Sequence, residues 1–160
     1  MSARPLATVD LDGVLADVRH RLHHLQVRPK NWDGFFADAP HDPLLAEGRA
    51  VVEKLAGDHE IVYLTGRPER CRQDTTDWLT EHDLPKGRLL MRRNSDRRPS
   101  SALKAEAVQR LARDATVAVC VDDDISVVRA LRRAGFTVLQ ADWMAEQPSL
   151  FAAQEGEGRT

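Results

Sequence analysis

Short runs of apolar residues alternate along the chain with longer segments whose apolar residues recur every three to four positions. Five of the short runs predict β-strands, at residues 6–11, 60–64, 88–91, 117–121 and 136–140. These runs are mostly continuous, which is typical of parallel strands that are covered on both faces by helices. The pattern therefore predicts an α/β fold built on a parallel sheet.

Four intervening segments have the apolar period of helices, at residues 43–56, 68–82, 100–111 and 125–134. Gly57 and Gly135 follow two of these segments as helix-stop residues, and Asp124 is expected to cap the last one. The repeated order of strand, loop and helix predicts a three-layer, doubly wound, Rossmann-like sandwich. Its ligand site is expected beyond the carboxyl ends of the strands.

Residues 14–42 interrupt this repeat, because they follow the first strand without a return crossover. The segment concentrates histidine and aromatic side chains: His20, His23, His24, Trp32, Phe35 and Phe36. We expect an inserted cap or flap over the site, part helical, in which the aromatic residues pack together. Stacking of an aromatic ring on a nucleobase is the alternative, as is a metal site or a titrating switch for the histidines.

The length of 160 residues is within the usual range of one domain. We therefore expect a single domain at residues 1–153. Residues 154–160 are polar, with two glycines and no apolar period, and are expected to form a disordered tail.

Composition narrows the function only slightly. The chain has 23 basic and 25 acidic residues, so its bulk charge does not indicate a nucleic-acid or membrane binder. Cys71 and Cys120 lack the short spacing of metal ligands and are expected to be core thiols. No apolar segment has the length of a signal peptide or a membrane span, which leads us to expect a cytoplasmic protein.

Polar side chains follow three of the predicted strands. Asp10 and Asp12 follow the first strand, and Thr65 follows the second. Asp122 and Asp123 follow the fourth. Four carboxylates at one edge of a sheet would repel one another strongly unless a divalent cation stabilised them. Because hard oxygen ligands suit Mg²⁺, the sequence predicts a magnesium site at this edge.

The order of these residues resembles the four motifs of the haloacid-dehalogenase-like (HAD) phosphohydrolases. Residues 10–13, Asp-Leu-Asp-Gly, are similar to the first motif, and residues 65–67, Thr-Gly-Arg, to the second. Lys104 is similar to the third motif and residues 122–123 to the fourth. An Asp-x-Asp-Gly string alone is common in turns, so the resemblance depends on all four motifs in order.

The resemblance implies a phosphatase that forms an aspartyl-phosphate on Asp10. Asp12 would be the general acid and base. Thr65 would hydrogen-bond a phosphoryl oxygen, and Lys104 would neutralise charge on Asp10 and on the transferring group.

The same resemblance implies a set of metal ligands. Mg²⁺ would be held by Asp10, by the main-chain carbonyl of Asp12 and by the carboxylate of Asp123. Asp122 would be a partner or a second ligand, and the choice of direct ligand between Asp122 and Asp123 stays open.

The arginine spacing resembles that of the 3'-phosphatase domain of polynucleotide kinase-phosphatases. Arg21, Arg67 and Arg92 match the essential arginines of that family, and Arg98 also fits. The resemblance implies that these residues, together with Gly66, bind the terminal phosphate and its neighbour with bidentate geometry. A 3'-phosphorylated DNA or RNA end, or a nucleotide, would be the substrate in nucleic-acid repair or end processing.

Two other functions stay open. The sequence has no P-loop of the form GxxxxGK[ST], so we expect a free-standing phosphatase, and such an enzyme can act on a nucleotide or a sugar phosphate instead. A phospho-acceptor module such as a response-regulator receiver also gathers aspartates, a threonine and a lysine at strand ends. A receiver places its acceptor on a later strand than its acidic pair, whereas Asp10 and Asp12 follow the first strand.

Overall fold

A five-stranded parallel sheet forms the centre of the chain in a computed structural model that describes residues 3–144 and 148–160. The strands are β1 (Leu6–Val9), β2 (Glu60–Pro68), β3 (Gly87–Arg92), β4 (Val117–Asp122) and β5 (Val138–Gln140). Their order in the sheet is β3-β2-β1-β4-β5, and every neighbouring pair is parallel. The predicted doubly wound α/β fold is therefore confirmed.

Helices cover the sheet and connect its strands. The described residues form seven α-helices: α1 (His23–Gln26), α2 (Trp32–Ala37), α3 (Ala46–Ala56), α4 (Arg72–Glu81), α5 (Ser100–Leu111), α6 (Ile125–Arg133) and α7 (Pro148–Gly156). Helices α3 to α6 are the four predicted crossovers, one between each pair of consecutive strands. Within residues 3–144 and 148–160, each helix is too short or too polar to cross a membrane.

Local sequence explains where α6 begins and ends. The Asp124 carboxylate accepts a hydrogen bond of 2.8 Å from the main-chain nitrogen of Ser126, so Asp124 caps the helix as predicted. Val127, Val128 and Leu131 are buried on its inner face. Gly135 follows the helix with a φ of 95°, a conformation that glycine adopts without strain.

The β2 strand is longer than predicted. It was expected at residues 60–64 but extends to Pro68, with an irregular register against β3 between Leu64 and Pro68. The following helix, expected from residue 68, begins with a 3₁₀ turn at Glu69–Cys71. The extended segment carries Thr65, Gly66 and Arg67 past the regular part of the sheet, and all three residues are buried.

The inserted segment after β1 is part helical, as predicted. Helices α1 and α2 combine with 3₁₀ turns at Arg19–Arg21 and Ala39–His41. Trp32, Phe35 and Phe36 are buried against one another, which confirms packing rather than an exposed stacking surface. The predicted core character of the cysteines is also confirmed, because both thiols are buried and unpaired with each other.

The structure corrects the disordered tail predicted for residues 154–160. Helix α7 continues to Gly156, and its Leu150 and Ala153 are buried in the aromatic cluster of the inserted segment. Polar residues of the supposed tail have tertiary partners: Glu155 accepts a hydrogen bond from the Ser101 hydroxyl, and Glu157 pairs with Lys30. The error arose because a polar segment can be ordered by distant partners that local sequence does not reveal.

Candidate active site

The carboxyl ends of three strands bring the predicted polar residues together. Asp10 directly follows β1, Thr65 lies in β2, and Asp122 ends β4. Because β1 lies between β2 and β4, these residues share one edge of the sheet. All three side chains are buried, which strengthens every charge interaction among them.

Lys104 joins two of the carboxylates. It lies in the second turn of α5, and its ammonium nitrogen is 2.9 Å from Asp10 Oδ1 and 2.7 Å from Asp122 Oδ2. Burial by itself lowers the pKa of this lysine, but the two carboxylates raise the pKa above its usual value. Lys104 is therefore charged inside the protein.

One lysine does not balance the acidic groups around it. Ligand atoms of Asp10, Asp122 and Asp123 all lie within 4.8 Å of one another. Burial, followed by repulsion from Asp122, raises the pKa of Asp10 to about 8. Burial and the charge of Asp10 likewise raise the pKa of Asp123 well above its usual range. The cluster has an excess of negative charge that a bound cation would neutralise.

The hydrogen bonds in the cluster fit a divalent cation. Asp10 Oδ2 and Asp123 Oδ1 are buried without a hydrogen-bond partner among the described residues. Both oxygens of Asp122 have partners, since Oδ2 binds Lys104 and Oδ1 accepts from the main-chain nitrogen of Asp124 at 3.0 Å. Buried carboxylate oxygens that lack a hydrogen-bond partner are suitable ligands for Mg²⁺. Asp123 is thus better placed than Asp122 as a direct ligand.

Gly13 lets the first-motif turn approach Asp123. Its φ is 84°, and a Cβ at this position would lie 2.0 Å from Asp123 Oδ2. The main-chain nitrogen of Gly13 donates to the carbonyl of Ala16 at 2.9 Å, which closes the turn. Any other residue would both strain this backbone and push Asp123 away.

Two of the predicted arginines converge on Asp12. Its Oδ1 lies 2.6 Å from Arg67 Nη2 and 3.0 Å from Arg21 Nη2. Burial alone would raise the pKa of Asp12, but the guanidinium groups of Arg67 and Arg21 hold it well below its usual range. Arg21 comes from the inserted segment, so this segment contributes directly to the site.

Asp42 is a member of this group that the sequence analysis missed. Its carboxylate accepts from Arg21 Nε at 2.7 Å, from Arg21 Nη2 at 2.8 Å and from Arg67 Nη2 at 3.1 Å. Two buried arginines imply a second acidic partner beside Asp12. Nothing in the sequence distinguishes Asp42 from the other aspartates of the inserted segment.

Arg92 organises the backbone beside the site. It is fully buried at the end of β3 and donates to the carbonyls of Gly66 at 3.0 Å and Arg98 at 2.7 Å. A third hydrogen bond, of 3.1 Å, goes to the Ser100 hydroxyl. Arg92 therefore ties β2 to the loop that precedes α5. Thr65 is held in a similar way, since its Oγ1 accepts from the main-chain nitrogen of Arg67 at 3.1 Å.

Arg98 lies at the surface of the same loop. Its guanidinium pairs with Asp96 at 2.8 Å and with Glu106, and nearly half of the side chain is exposed. Arg98 lines a cavity of about 270 Å³ that Thr65 also lines. The structure thus brings Arg21 and Arg67 to Asp12 and leaves Arg98 paired with its own acidic neighbours.

Residues 157–160 also reach the site. The Ser100 hydroxyl donates to the main-chain carbonyl of Thr160 at 2.5 Å, and the Thr160 hydroxyl donates to Asp12 Oδ2 at 3.3 Å. A Cβ on Gly66 would lie 2.2 Å from the main-chain carbonyl carbon of Thr160. The backbone of Gly66 is therefore accessible at close range, and in this structure Thr160 occupies that place.

Comparison with known families gives one match that covers most of the chain. The model of the polynucleotide kinase PNKP phosphatase domain matches residues 5–144. A comparison with curated protein sequences gives no match.

Solved structures share the fold. A chain of the Pnkp1/Rnl/Hen1 RNA repair complex is 24% identical with a TM-score of 0.74, covering 89% of this chain and 44% of its own. A haloacid dehalogenase-like hydrolase from Streptococcus pneumoniae is 14% identical with a TM-score of 0.65, covering 97% of this chain and 93% of its own. The chain spans less than half the length of the repair-complex chains that it matches.

A third structure contains the expected type of ligand. A HAD family enzyme from Bacteroides thetaiotaomicron, in complex with magnesium and inorganic phosphate, is 12% identical with a TM-score of 0.54. The alignment covers 93% of this chain and 100% of that enzyme. At this identity the likeness shows the fold.

The approach of Gly13 to Asp123 leads to a test with a matched control. Gly13→Ala and Gly135→Ala both place alanine at a positive φ, which costs about 1–2 kcal/mol of stability. Only Gly13→Ala adds a clash with Asp123. Its free energy of unfolding in urea should therefore fall by at least about 1 kcal/mol more than that of Gly135→Ala. Equal losses in the two variants would contradict the close approach.

Proposed function

The chain belongs to the polynucleotide kinase PNKP phosphatase domain family and is a HAD-type phosphatase, and from this membership we propose that it removes a 3'-phosphate from a polynucleotide or nucleotide with Mg²⁺. The observation that carries the proposal is Lys104, which bridges Asp10 and Asp122 beside the unpaired oxygen of Asp123. A buried carboxylate with a fixed cation beside it suits transfer of a phosphoryl group to that carboxylate.

In the first proposed step, Asp10 is the nucleophile. Lys104 holds Oδ1 of this carboxylate, and Oδ2 has no hydrogen-bond partner among the described residues. A carboxylate oxygen of Asp10 attacks phosphorus, the bond from phosphorus to the ester oxygen breaks, and that oxygen takes a proton from Asp12. The alcohol product leaves with this proton.

In the second proposed step, water regenerates the enzyme. Asp12 takes a proton from the water as its oxygen attacks phosphorus, and the bond from phosphorus to Asp10 breaks. Inorganic phosphate is released. Mg²⁺, held by Asp10, the main-chain carbonyl of Asp12 and Asp123, would neutralise negative charge on the phosphoryl oxygens.

Arg21 and Arg67 are proposed to bind the phosphoryl group. Each guanidinium has five N–H donors and suits bidentate contact with phosphate oxygens. Their present contacts keep Asp12 ionised, whereas its role as an acid requires a proton. When the arginines bind phosphate instead, Asp12 loses part of this cationic field and its affinity for a proton rises.

The surroundings of the site support a nucleotide-containing substrate. Four arginines line the cavity beside Thr65, which is about 270 Å³ in volume: Arg72, Arg93, Arg98 and Arg110. Arginine side chains around a cavity suit the phosphates of a nucleic-acid strand. Glu69, Asp96 and Glu106 also line the cavity and form ion pairs with Arg72, Arg98 and Arg110, which favours the second candidate, a small phosphate ester.

A substrate panel tests the reaction. The wild-type protein with Mg²⁺ should hydrolyse a 3'-phosphorylated oligonucleotide faster than a 5'-phosphorylated oligonucleotide, a 3'-nucleotide or a sugar phosphate. Asp10→Asn should lose activity by about 10³-fold or more, because the nucleophile is removed. Asp58→Asn, a surface control, should retain it. Failure of the wild type to release phosphate from any ester would overturn the proposal, and preference for a sugar phosphate would select the second candidate.

Magnesium binding has a separate readout in thermal unfolding. Mg²⁺ should raise the unfolding temperature of the wild type, because a ligand at a hundredfold excess over its Kd stabilises a protein by about 2.7 kcal/mol. Asp123→Asn should abolish this increase, and Asp142→Asn, at an exposed position, should keep it. An unfolding temperature of the wild type that is unaffected by Mg²⁺ would contradict the metal site.

A further inference from the structure

We infer that Asp42 is a positioning residue, which holds the guanidinium groups of Arg21 and Arg67 in place for the substrate phosphate. The inference rests on the proposed function and concerns a residue outside the four motifs. Asp42 lies between the 3₁₀ turn Ala39–His41 and α3, in the inserted segment. Its side chain is completely buried.

Arg21 and Arg67 share two acidic partners, Asp12 and Asp42, for which we infer different roles. Asp12 Oδ1 accepts from Arg67 Nε and Nη2 and from Arg21 Nη2. Asp42 accepts from Arg21 Nε and Nη2 and from Arg67 Nη2. If phosphate takes the place of Asp12 as their partner, Asp42 is the carboxylate that stays with both arginines.

The backbone of Asp42 is itself fixed. The Trp78 indole nitrogen in α4 donates to the Asp42 carbonyl at 2.9 Å, and the main-chain nitrogen of Asp42 donates to Ala39 at 3.1 Å. The carboxylate is therefore anchored to a crossover helix of the main fold. A rigid acceptor of this kind lowers the cost of ordering two long side chains when the substrate binds.

Removal of the Asp42 charge should weaken substrate binding through its effect on Arg21 and Arg67. In Asp42→Asn the amide accepts at one atom only, so Arg21 loses its bidentate partner and both guanidinium groups become less ordered. Because they bind phosphate in the ground state and in the transition state alike, KM should rise by about tenfold or more, with a smaller fall in kcat. The Kd for inorganic phosphate, measured by calorimetry, should rise in parallel.

Asp38→Asn is the matched control. Asp38 also lies in the inserted segment, where its carboxylate pairs with His24 at 2.7 Å. The substitution Asp38→Asn should leave KM unchanged. A purely structural role for Asp42 would lower the unfolding temperature of Asp42→Asn and leave KM of the folded enzyme at the wild-type value. That outcome, in an assay where the wild type is active and Asp10→Asn is not, would overturn the positioning role and spare the proposed function.

The double variant Arg21→Ala/Asp42→Asn keeps the test decisive if Asp42→Asn alone does not fold. It removes one charge of each sign from the interior, so it leaves less uncompensated charge than the single variant. Because Arg67 also loses its contact with the Asp42 carboxylate, the KM of the double variant should exceed that of Arg21→Ala by about threefold or more. Equal KM values for the double variant and Arg21→Ala would overturn the inference.

A second inference rests on different contacts: we propose that residues 157–160 are an internal plug that competes with the substrate. The Thr160 hydroxyl binds Asp12, the group proposed to protonate the leaving oxygen, and Thr160 is almost completely buried. The segment is held at its other end by the Glu157 and Lys30 pair. A leaving alcohol requires the same place beside Asp12, so the segment and the substrate exclude each other.

Gly158 allows the plug to be displaced by one substitution in the full chain. A Cβ at Gly158 would lie 2.2 Å from the main-chain oxygen of Arg97, whereas one at Gly156 meets none of the described atoms within 4 Å. Gly158→Val should therefore displace the segment and raise kcat/KM for a small phosphate ester by about threefold or more. Gly156→Val is the control and should have a much smaller effect. An unchanged or lower kcat/KM in Gly158→Val would overturn the plug.

Discussion

An excess of buried negative charge at the carboxyl edge of the sheet is the constraint on which the site depends. Asp10, Asp122 and Asp123 lie together, and Lys104 supplies one positive charge among them. Beside them, Asp12 and Asp42 are balanced by two arginines. The first half of the site has more acidic than basic groups, and the second holds guanidinium groups that we propose exchange Asp12 for phosphate. A metal ion together with a phosphate ester would satisfy both halves at once.

The inserted segment is part of this arrangement. It contributes Arg21 and Asp42, and its aromatic cluster packs against α7, which leads residues 157–160 to Asp12. The main fold therefore supplies the proposed nucleophile, the candidate metal ligands and Arg67, while the inserted segment supplies Arg21 and Asp42.

Sequence reasoning succeeded where one physical rule connects distant residues. The carboxyl ends of parallel strands share an edge, so Asp10, Thr65 and Asp122 could be brought together from strand patterns alone. Asp42 was missed because its role comes from distant side chains that reach it, Arg21 and Arg67 among them, and its local sequence is that of an ordinary loop. The order of residues 154–160 was missed for the same reason, since partners such as Lys30 are remote in the chain.

The proposed aspartyl-phosphate can be detected as phosphate bound covalently to Asp10. Wild-type protein would be mixed with Mg²⁺ and a 3'-phosphorylated oligonucleotide, quenched in acid within the first turnover and analysed by peptide mass spectrometry. We expect a phosphoryl group on the peptide that contains Asp10, which forms before steady-state release of inorganic phosphate and is lost as turnover ends. Release of phosphate from a protein that never becomes phosphorylated, or phosphorylation of a different residue, would contradict it.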